Sequence, residues 1–165
     1  MRVVIEPMRP GDIPDVLAIT SAAAARGEQD AQLTVQRLQE ELARPWTHLW
    51  FARAEERPAG FLLSWHVADE LHVLDVGTHA ELRRRGIGRA LMDRAIAFAQ
   101  EARCAHVLLE VRRSNPAIHL YRACGFHALA IRFKYYPDDE DAIEMMLPFD
   151  PTSRAVVARK DEVAL

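Results

Sequence analysis

The chain has 165 residues, of which half are hydrophobic and 27% are charged, with a formal net charge of -3. This length and composition predict one soluble globular domain, and the negative charge balance argues against a general nucleic-acid-binding protein. The two cysteines are too few for a disulfide framework and lack the spacing of a metal or redox motif. The longest apolar run is shorter than the roughly 18 residues of a membrane helix, so the sequence favours a cytoplasmic protein.

The first half of the chain predicts a strand, two helices and a hairpin. A strand over residues 3–8 precedes Asp12, which can cap a helix over residues 13–25. Residues 26–30 break that helix, and a second helix over 34–43 ends before Pro45. Strands at about 49–54 and 59–67 flank a charged turn, as in an antiparallel hairpin.

The second half predicts a parallel crossover followed by an antiparallel pair. An apolar strand at 71–76, a helix at 87–102 and a strand at 106–112 form a strand-helix-strand unit, which favours parallel pairing. A helix at 116–124 and strands near 127–135 and 142–147 follow. The fold class is therefore a mixed α/β sheet, mostly antiparallel, flanked by helices. Residues 1–148 are predicted to form one domain, and residues 149–165, which lose apolar periodicity, a mobile tail.

The loop before the helix at 87–102 reads Arg83-Arg84-Arg85-Gly86-Ile87-Gly88 and is followed by Arg89. Two glycines let the backbone approach an anion closely, the first helical turn supplies free N–H groups, and the arginines add positive charge. The loop therefore predicts a site for a phosphate-bearing ligand. Leu91 replaces the third glycine of a dinucleotide fingerprint, and the Lys-Ser/Thr pair of a P-loop is missing. A helix start flanked by solvated arginines is the alternative.

Further motifs follow this loop in a fixed order. They are Leu109-Glu110-Val111-Arg112, Ser114-Asn115, Leu120-Tyr121 and Gly125-Phe126. The ordered set resembles the GNAT superfamily of acetyl-CoA-dependent N-acetyltransferases, over about residues 3–148 and most distinctively over 71–147. Within the superfamily, three later segments resemble the bacterial ribosomal-protein alanine N-acetyltransferases of the RimI type: Ile131-Arg132, Tyr135-Tyr136-Pro137 and Glu140-Asp141-Ala142 leading to Met145 or Met146.

The resemblance implies a role for each motif. Glu110 would act as general base, and Tyr121 would protonate the departing thiolate as general acid. Asn115 would contact the cofactor, and no covalent acyl-enzyme would form. The backbone near Val76, Gly77 and Thr78 would bind the pantetheine, while the pyrophosphate of acetyl-CoA would be cradled by Arg83, Arg84, Arg85, Gly86, Ile87, Gly88 and Arg89. The seven histidines form no metal-ligand motif, so no metal is expected.

The acceptor is predicted to be a primary amine, first of all the α-amine of a protein N-terminus such as that of a ribosomal protein. Deprotonation at pH 7 costs an α-amine with a pKa of about 8 roughly 1.4 kcal/mol, but lysine, with a pKa of about 10.4, roughly 4.6 kcal/mol. Tyr135 and Tyr136 would line the acceptor groove, although aromatic residues in strands often serve packing. Two alternatives remain: a small amine such as a polyamine or amino acid as acceptor, and a non-catalytic acyl-CoA-binding regulatory module.

Each implied role has a structural alternative. Glu110 shares a strand face with Arg112, which suggests a simple ion pair with an arginine, and Tyr121 suits a core aromatic position. Asn115 followed by Pro116 is a favourable helix start. The sequence also departs from the family twice: the segment between Asn115 and Tyr121 is one residue shorter than usual, and residues 22–33 lack the aromatic and proline pattern of N-terminal acetyltransferases.

Overall fold

The computed structural model describes residues 1–26 and 33–165. By contact density the chain divides into a first unit, Met1–His66 with Leu74–Ala95, and a second unit, Val67–Val73 with Ile96–Leu165. The single domain predicted for residues 1–148 stays a prediction. The helices are α1 (Ile13–Ala25), α2 (Val35–Ala43), α3 (Ile87–Glu101) and α4 (Ala117–Cys124), and the strands are β1 (Val3–Pro7), β2 (Thr47–Ala54), β3 (Arg57–Val67), β4 (Glu70–Thr78), β5 (His106–Arg112), β6 (His127–Arg132) and β7 (Ala142–Pro148).

Within the described residues the strands form a seven-stranded sheet in the order β1-β2-β3-β4-β5-β7-β6. β4 and β5 pair in parallel, and the pairs β1–β2, β2–β3, β5–β7 and β6–β7 are antiparallel. The predicted mixed sheet with one parallel crossover is thereby confirmed. The sequence did not predict that β7 lies between β5 and β6, because sequential strands need not be neighbours in a sheet.

The first unit builds its core from α1, α2 and the strands beside them. α1 places apolar residues at helical spacing, and α2 begins at Thr34, whose hydroxyl accepts a hydrogen bond from the N–H of Arg37 at 3.0 Å. α2 ends where Arg44 turns extended before Pro45, as predicted. These elements enclose a hydrophobic cluster that contains Met8, Ile13, Val16, Ile19, Leu33, Leu38, Leu49, Phe51, Phe61 and Leu63.

Asp12 stands at the N-cap of α1, but the prediction that its side chain caps this helix is wrong. The residue already has helical backbone angles, with φ of -86° and ψ of -11°, so its carboxylate is directed back to the preceding turn. There it accepts a hydrogen bond from the N–H of Arg9 at 2.9 Å and pairs with Arg53. The predicted break after α1 falls mostly on residues 27–32, which lie outside the described part of the chain.

The second unit contains α4 together with the strands β5, β6 and β7. The helix begins one residue later than predicted, at Ala117 with Pro116 at the N-cap, and the side-chain oxygen of Asn115 accepts the N–H of Ala117 at 2.9 Å. Gly125 ends the helix with φ of +104°, a left-handed conformation that favours glycine. The buried apolar residues of this unit include Val107, Leu109, Val111, Tyr121, Phe126, Ala128, Ile143, Met145 and Leu147.

β6 is shorter than predicted, because it ends at Arg132 instead of residue 135. The chain turns at Phe133 and Lys134. Lys134 has φ of +52°, a backbone conformation that interrupts a strand. The N–H of Lys134 instead donates to the carboxylate of Asp141 at 3.0 Å. Tyr135 and Tyr136 therefore lie in the loop of residues 133–141, here called the β6–β7 loop, and not in a strand.

The segment after Pro148 has neither helix nor strand, yet it makes specific contacts within the second unit. Asp161 forms two hydrogen bonds with the guanidinium of Arg122 and accepts the N–H of Ala128 at 2.9 Å. Phe149 and Val156 form an isolated antiparallel bridge. The mobility predicted for residues 149–165 stays a prediction. No helix among the described residues is long and apolar enough to cross a membrane.

Candidate active site

The arginine loop, residues 83–89, connects β4 to α3 in the first unit. Arg84 and Gly86 both have positive φ angles, +61° and +83°, which turn the chain sharply into the helix. The carbonyl of Gly86 accepts the N–H of Ala90 at 2.9 Å. Because that bond opens the helical pattern, residues 87–89 form the first turn of α3, the part of a helix whose N–H groups can donate to an anion.

The side chains of the arginine loop divide into exposed charges and a buried anchor. Arg83, Arg84 and Arg85 are exposed, and Arg89 is exposed while pairing with Asp93 at 2.9 Å on the next turn. The side chain of Ile87 is buried in the core. Only the backbone of Ile87 is therefore placed to meet a ligand, while its side chain fixes the loop to the unit.

The end of β4, where Val76, Gly77 and Thr78 were expected to bind a pantetheine, is shaped by a close approach of strands. A Cβ on Gly77 would lie 2.4 Å from Cε1 of Phe61, and a Cβ on Gly60 would lie 2.6 Å from the carbonyl oxygen of Gly77. Packing alone thus requires glycine at both positions. The cofactor roles of these residues stay predictions.

We expect Gly86→Val to weaken acetyl-CoA binding about tenfold or more, because valine is strained at φ of +83° and would project over the backbone that approaches the phosphate. Beyond Gly86 and its chain neighbours, no atom of the described residues lies within 4 Å of a Cβ at this position, so the side chain itself has space. Isothermal titration calorimetry measures the effect. Gly11→Val is the matched control, since a Cβ on Gly11 also meets nothing within 4 Å but its φ is not positive. Equal affinity of the two variants would contradict the phosphate-cradle prediction.

Glu110 lies on β5 in the second unit, directly opposite Glu144 on β7. Arg132 of β6 contacts both carboxylates, with Nε 3.2 Å from Oε1 of Glu110 and a terminal nitrogen 3.4 Å from Oε2 of Glu144. One third of the Glu110 side chain is exposed. The alternative of an ion pair with arginine is thus realised, and the arginine is Arg132. Solvent still reaches the carboxylate of Glu110, so a group that gives up a proton can also approach it.

Tyr135 adds a second partner to Glu110. Its hydroxyl donates a hydrogen bond to the Glu110 carboxylate, and this bond and the negative charge raise the pKa of Tyr135 above its ordinary value. The ring of Tyr135 is half exposed and meets the ring of Tyr136 edge-on, with centroids 5.1 Å apart. Tyr135 therefore stands at the candidate base as a protonated donor.

Tyr136 is held by Arg112, the arginine on the same strand face as Glu110. The guanidinium of Arg112 lies 4.1 Å from the ring centroid of Tyr136 and contacts Asp138 and Glu140, each at 2.9 Å. Hydrogen bonds from Arg112 lower the pKa of Asp138, and hydrogen bonds from Ser114 and then Arg112 lower the pKa of Glu140. The acidic stretch 138–141 therefore fastens the β6–β7 loop to β5.

Tyr121 and Asn115 both occupy positions that their structural alternatives explain. The ring of Tyr121 is 91% covered and packs against Phe126 at 6.1 Å between centroids. The side-chain oxygen of Asn115 is engaged at the start of α4. Their roles as general acid and cofactor contact stay predictions.

Sequence reasoning missed Arg132 and Glu144 as parts of the site. One signal was available: Glu144 is a lone carboxylate in the apolar run Ala142-Ile143-Glu144-Met145-Met146, which is unusual for a strand. Its contact with Arg132 depends on β7 lying beside β6, which the sequence does not specify. Among the described residues, no group of three His, Cys, Asp or Glu side chains could hold a metal ion.

A model of the Acetyltransferase (GNAT) family matches residues 14–126. The chain belongs to this family. It is 38% identical over 99 residues to the [ribosomal protein bS18]-alanine N-acetyltransferase of Salmonella typhimurium, which covers 58% of this chain and 67% of the relative. It is 39% identical over 94 residues to the enzyme of the same name from Escherichia coli K12, which covers 54% of this chain and 64% of the relative.

The fold agrees with a solved structure of the same kind. The crystal structure of the ribosomal-protein-S18-alanine N-acetyltransferase from Escherichia coli has a TM-score of 0.79 and 29% identity, and the match covers 89% of this chain and 94% of that chain. Family membership and these relatives indicate an acetyltransferase enzyme.

Proposed function

We propose that this GNAT protein transfers the acetyl group of acetyl-CoA directly to a primary amine, above all to the α-amine of a protein N-terminus. The observation that carries the proposal is Glu110, a partly exposed carboxylate on β5 that accepts a hydrogen bond from Tyr135. A carboxylate in this position can take a proton from an incoming ammonium group, directly or through one water molecule.

The reaction removes two protons from the acceptor ammonium group and supplies one to the CoA thiolate. Glu110 accepts the proton of the acceptor ammonium, and the free amine forms a C–N bond with the acetyl carbonyl carbon. The C–S bond breaks, and Tyr121 gives its hydroxyl proton to the CoA thiolate, since the two groups have comparable basicity. The attacking nitrogen, which becomes positively charged when the C–N bond forms, releases its second proton, and this proton restores Tyr121. The proton taken up by Glu110 leaves to solvent, so the cycle closes without an acyl-enzyme.

The arginine loop is proposed to hold the pyrophosphate of acetyl-CoA. Backbone N–H groups of residues 87–89 would donate to the phosphate oxygens, and the exposed arginines of residues 83–85 would supply counter-charge. Val76, Gly77 and Thr78 would bind the pantetheine through their backbone, and Asn115 would contact the cofactor beyond it.

The proposed acceptor follows from the names of the relatives. The Salmonella and Escherichia coli proteins are named for alanine acetylation of ribosomal protein bS18. An N-terminal alanine of a ribosomal protein is therefore the first acceptor to test, and such an acceptor fits a cytoplasmic enzyme. Tyr135 and Tyr136 would contact its backbone, since both lie in the β6–β7 loop near Glu110.

We expect acetyl-CoA turnover with alanine-starting ribosomal-type peptides and at least about tenfold less with lysine peptides, because an α-amine is several kcal/mol easier to deprotonate near pH 7. Release of free CoA measures turnover over a panel that also contains polyamines and free amino acids. The same peptides with a blocked N-terminus are the control. Turnover confined to small amines would contradict the protein acceptor, and tight CoA binding without turnover of any amine would contradict the enzymatic function.

A further inference from the structure

Arg132 is shared by two carboxylates that stand opposite each other in the sheet. Glu110 and Glu144 are register partners on β5 and β7, and like charges in that arrangement repel each other. The guanidinium of Arg132 contacts both, at 3.2 Å and 3.4 Å, and offsets the repulsion. The candidate base Glu110, the facing carboxylate of Glu144 and the guanidinium of Arg132 therefore form a charge triad.

The triad matters because Glu110 must change charge during the proposed reaction. When Glu110 accepts a proton it loses its attraction for Arg132, but Glu144 keeps the guanidinium in place. When the proton leaves, Arg132 is still positioned to contact the carboxylate of Glu110 again. The geometry points to Arg132 and Glu144 as a positioning pair that orients Glu110 and sets how readily it binds a proton; this inference rests on the proposed function.

The two members of the pair act on Glu110 in opposite directions. Without Arg132, two facing carboxylates would be left together, and each would bind a proton more readily. Without the charge of Glu144, Arg132 would form an ion pair with Glu110 alone, and Glu110 would release its proton more readily. The hydroxyl of Tyr135 also contacts Glu110, while Arg112 of the same strand face is engaged by Asp138 and Glu140.

Carboxyl titration by NMR of protein labelled with carbon-13 at the glutamate side-chain carboxyls tests this directly. We expect the midpoint of Glu110 to move in opposite directions in the two variants, up in Arg132→Gln and down in Glu144→Gln. Arg132→Lys keeps a cation and should stay nearer to the wild-type midpoint. Arg113→Gln is the matched control, since Arg113 forms a comparable ion pair with Asp141 at 3.0 Å and should leave the midpoint unchanged.

Turnover provides the second measurement. The acidic limb of the kcat–pH profile should move to higher pH in Arg132→Gln and to lower pH in Glu144→Gln. The KM for acetyl-CoA should stay constant in both variants. Two acceptor amines of different basicity separate this limb from the titration of the amine itself. Shifts of the same sign in both variants, or no shift in either, would overturn the pairing. If the Glu110 midpoint shifts in the variants as expected but the wild-type protein acetylates no amine, the proposed function would be contradicted and the electrostatic coupling would stand.

Discussion

Glu110→Gln is expected to lower kcat by about 100-fold to 10,000-fold and to leave the affinity for acetyl-CoA unchanged. The substitution keeps the size of the side chain and an oxygen that can accept from Tyr135, but it removes the group that takes the proton of the acceptor amine. Loss of a general base commonly has an effect of about this size. Stopped-time CoA release at saturating acceptor gives kcat, and calorimetry gives the acetyl-CoA affinity.

The chain offers a closely matched control in Glu6→Gln. Glu6 is also a strand carboxylate with one third of its side chain exposed, and its Oε1 also lies 3.2 Å from an arginine Nε, that of Arg53. A general effect of removing a surface ion pair would appear in both variants, whereas loss of the base would appear only in the Glu110 variant. A kcat of Glu110→Gln within a few-fold of wild type would assign Glu110 a structural role.

Sequence patterns predicted the parts of the fold that local forces determine. The predicted bounds of β5, His106–Arg112, matched the structure at both ends. The start of α3 at Ile87 followed from Gly86 before it, and the start of α4 was predicted from Asn115 and Pro116 to within one residue. Each of these features depends on neighbours within one or two turns of chain.

Long-range features were not predictable in the same way. The triad of Glu110, Arg132 and Glu144 forms because β7 pairs with both β5 and β6, and strand order depends on packing across the whole sheet. Tyr135 was placed in a strand because aromatic residues favour strands, but a turn at Lys134 intervenes. The contacts of Asp161 likewise join residues more than thirty positions apart.

Glu41 is a second carboxylate whose importance the sequence did not indicate. Its side chain is fully covered and accepts four hydrogen bonds, from Arg37 at 2.9 Å, Arg44 at 2.6 Å, Thr47 at 2.8 Å and Trp65 at 2.7 Å. Burial opposes ionisation, but the bonds from Trp65, Thr47 and Arg37 and the charge of Arg44 outweigh it. The pKa of Glu41 therefore lies below its ordinary value.

We expect Glu41→Gln to lower the free energy of unfolding by about 3 kcal/mol, because a glutamine amide turns one acceptor into a donor that faces other donors and removes the partner of two arginines. In a chain of this length the melting temperature should fall by about 6–12 °C. Denaturant titration and calorimetry measure both quantities. Glu40→Gln is the control on the same helix, since Glu40 is exposed and accepts a hydrogen bond from Gln36. This substitution should change the free energy of unfolding by no more than about 0.5 kcal/mol.

The pH dependence of this difference separates charge from packing. Because folding lowers the pKa of Glu41, its ionised form contributes stability above the unfolded value, near 4.5, and that contribution disappears as the pH falls through the lower, folded value. The gap between wild type and Glu41→Gln should be full at pH 7 and should shrink below about pH 4. A gap that stays constant down to acid unfolding would mean that shape, rather than the charge of this buried carboxylate, joins α2 to β2 and β3.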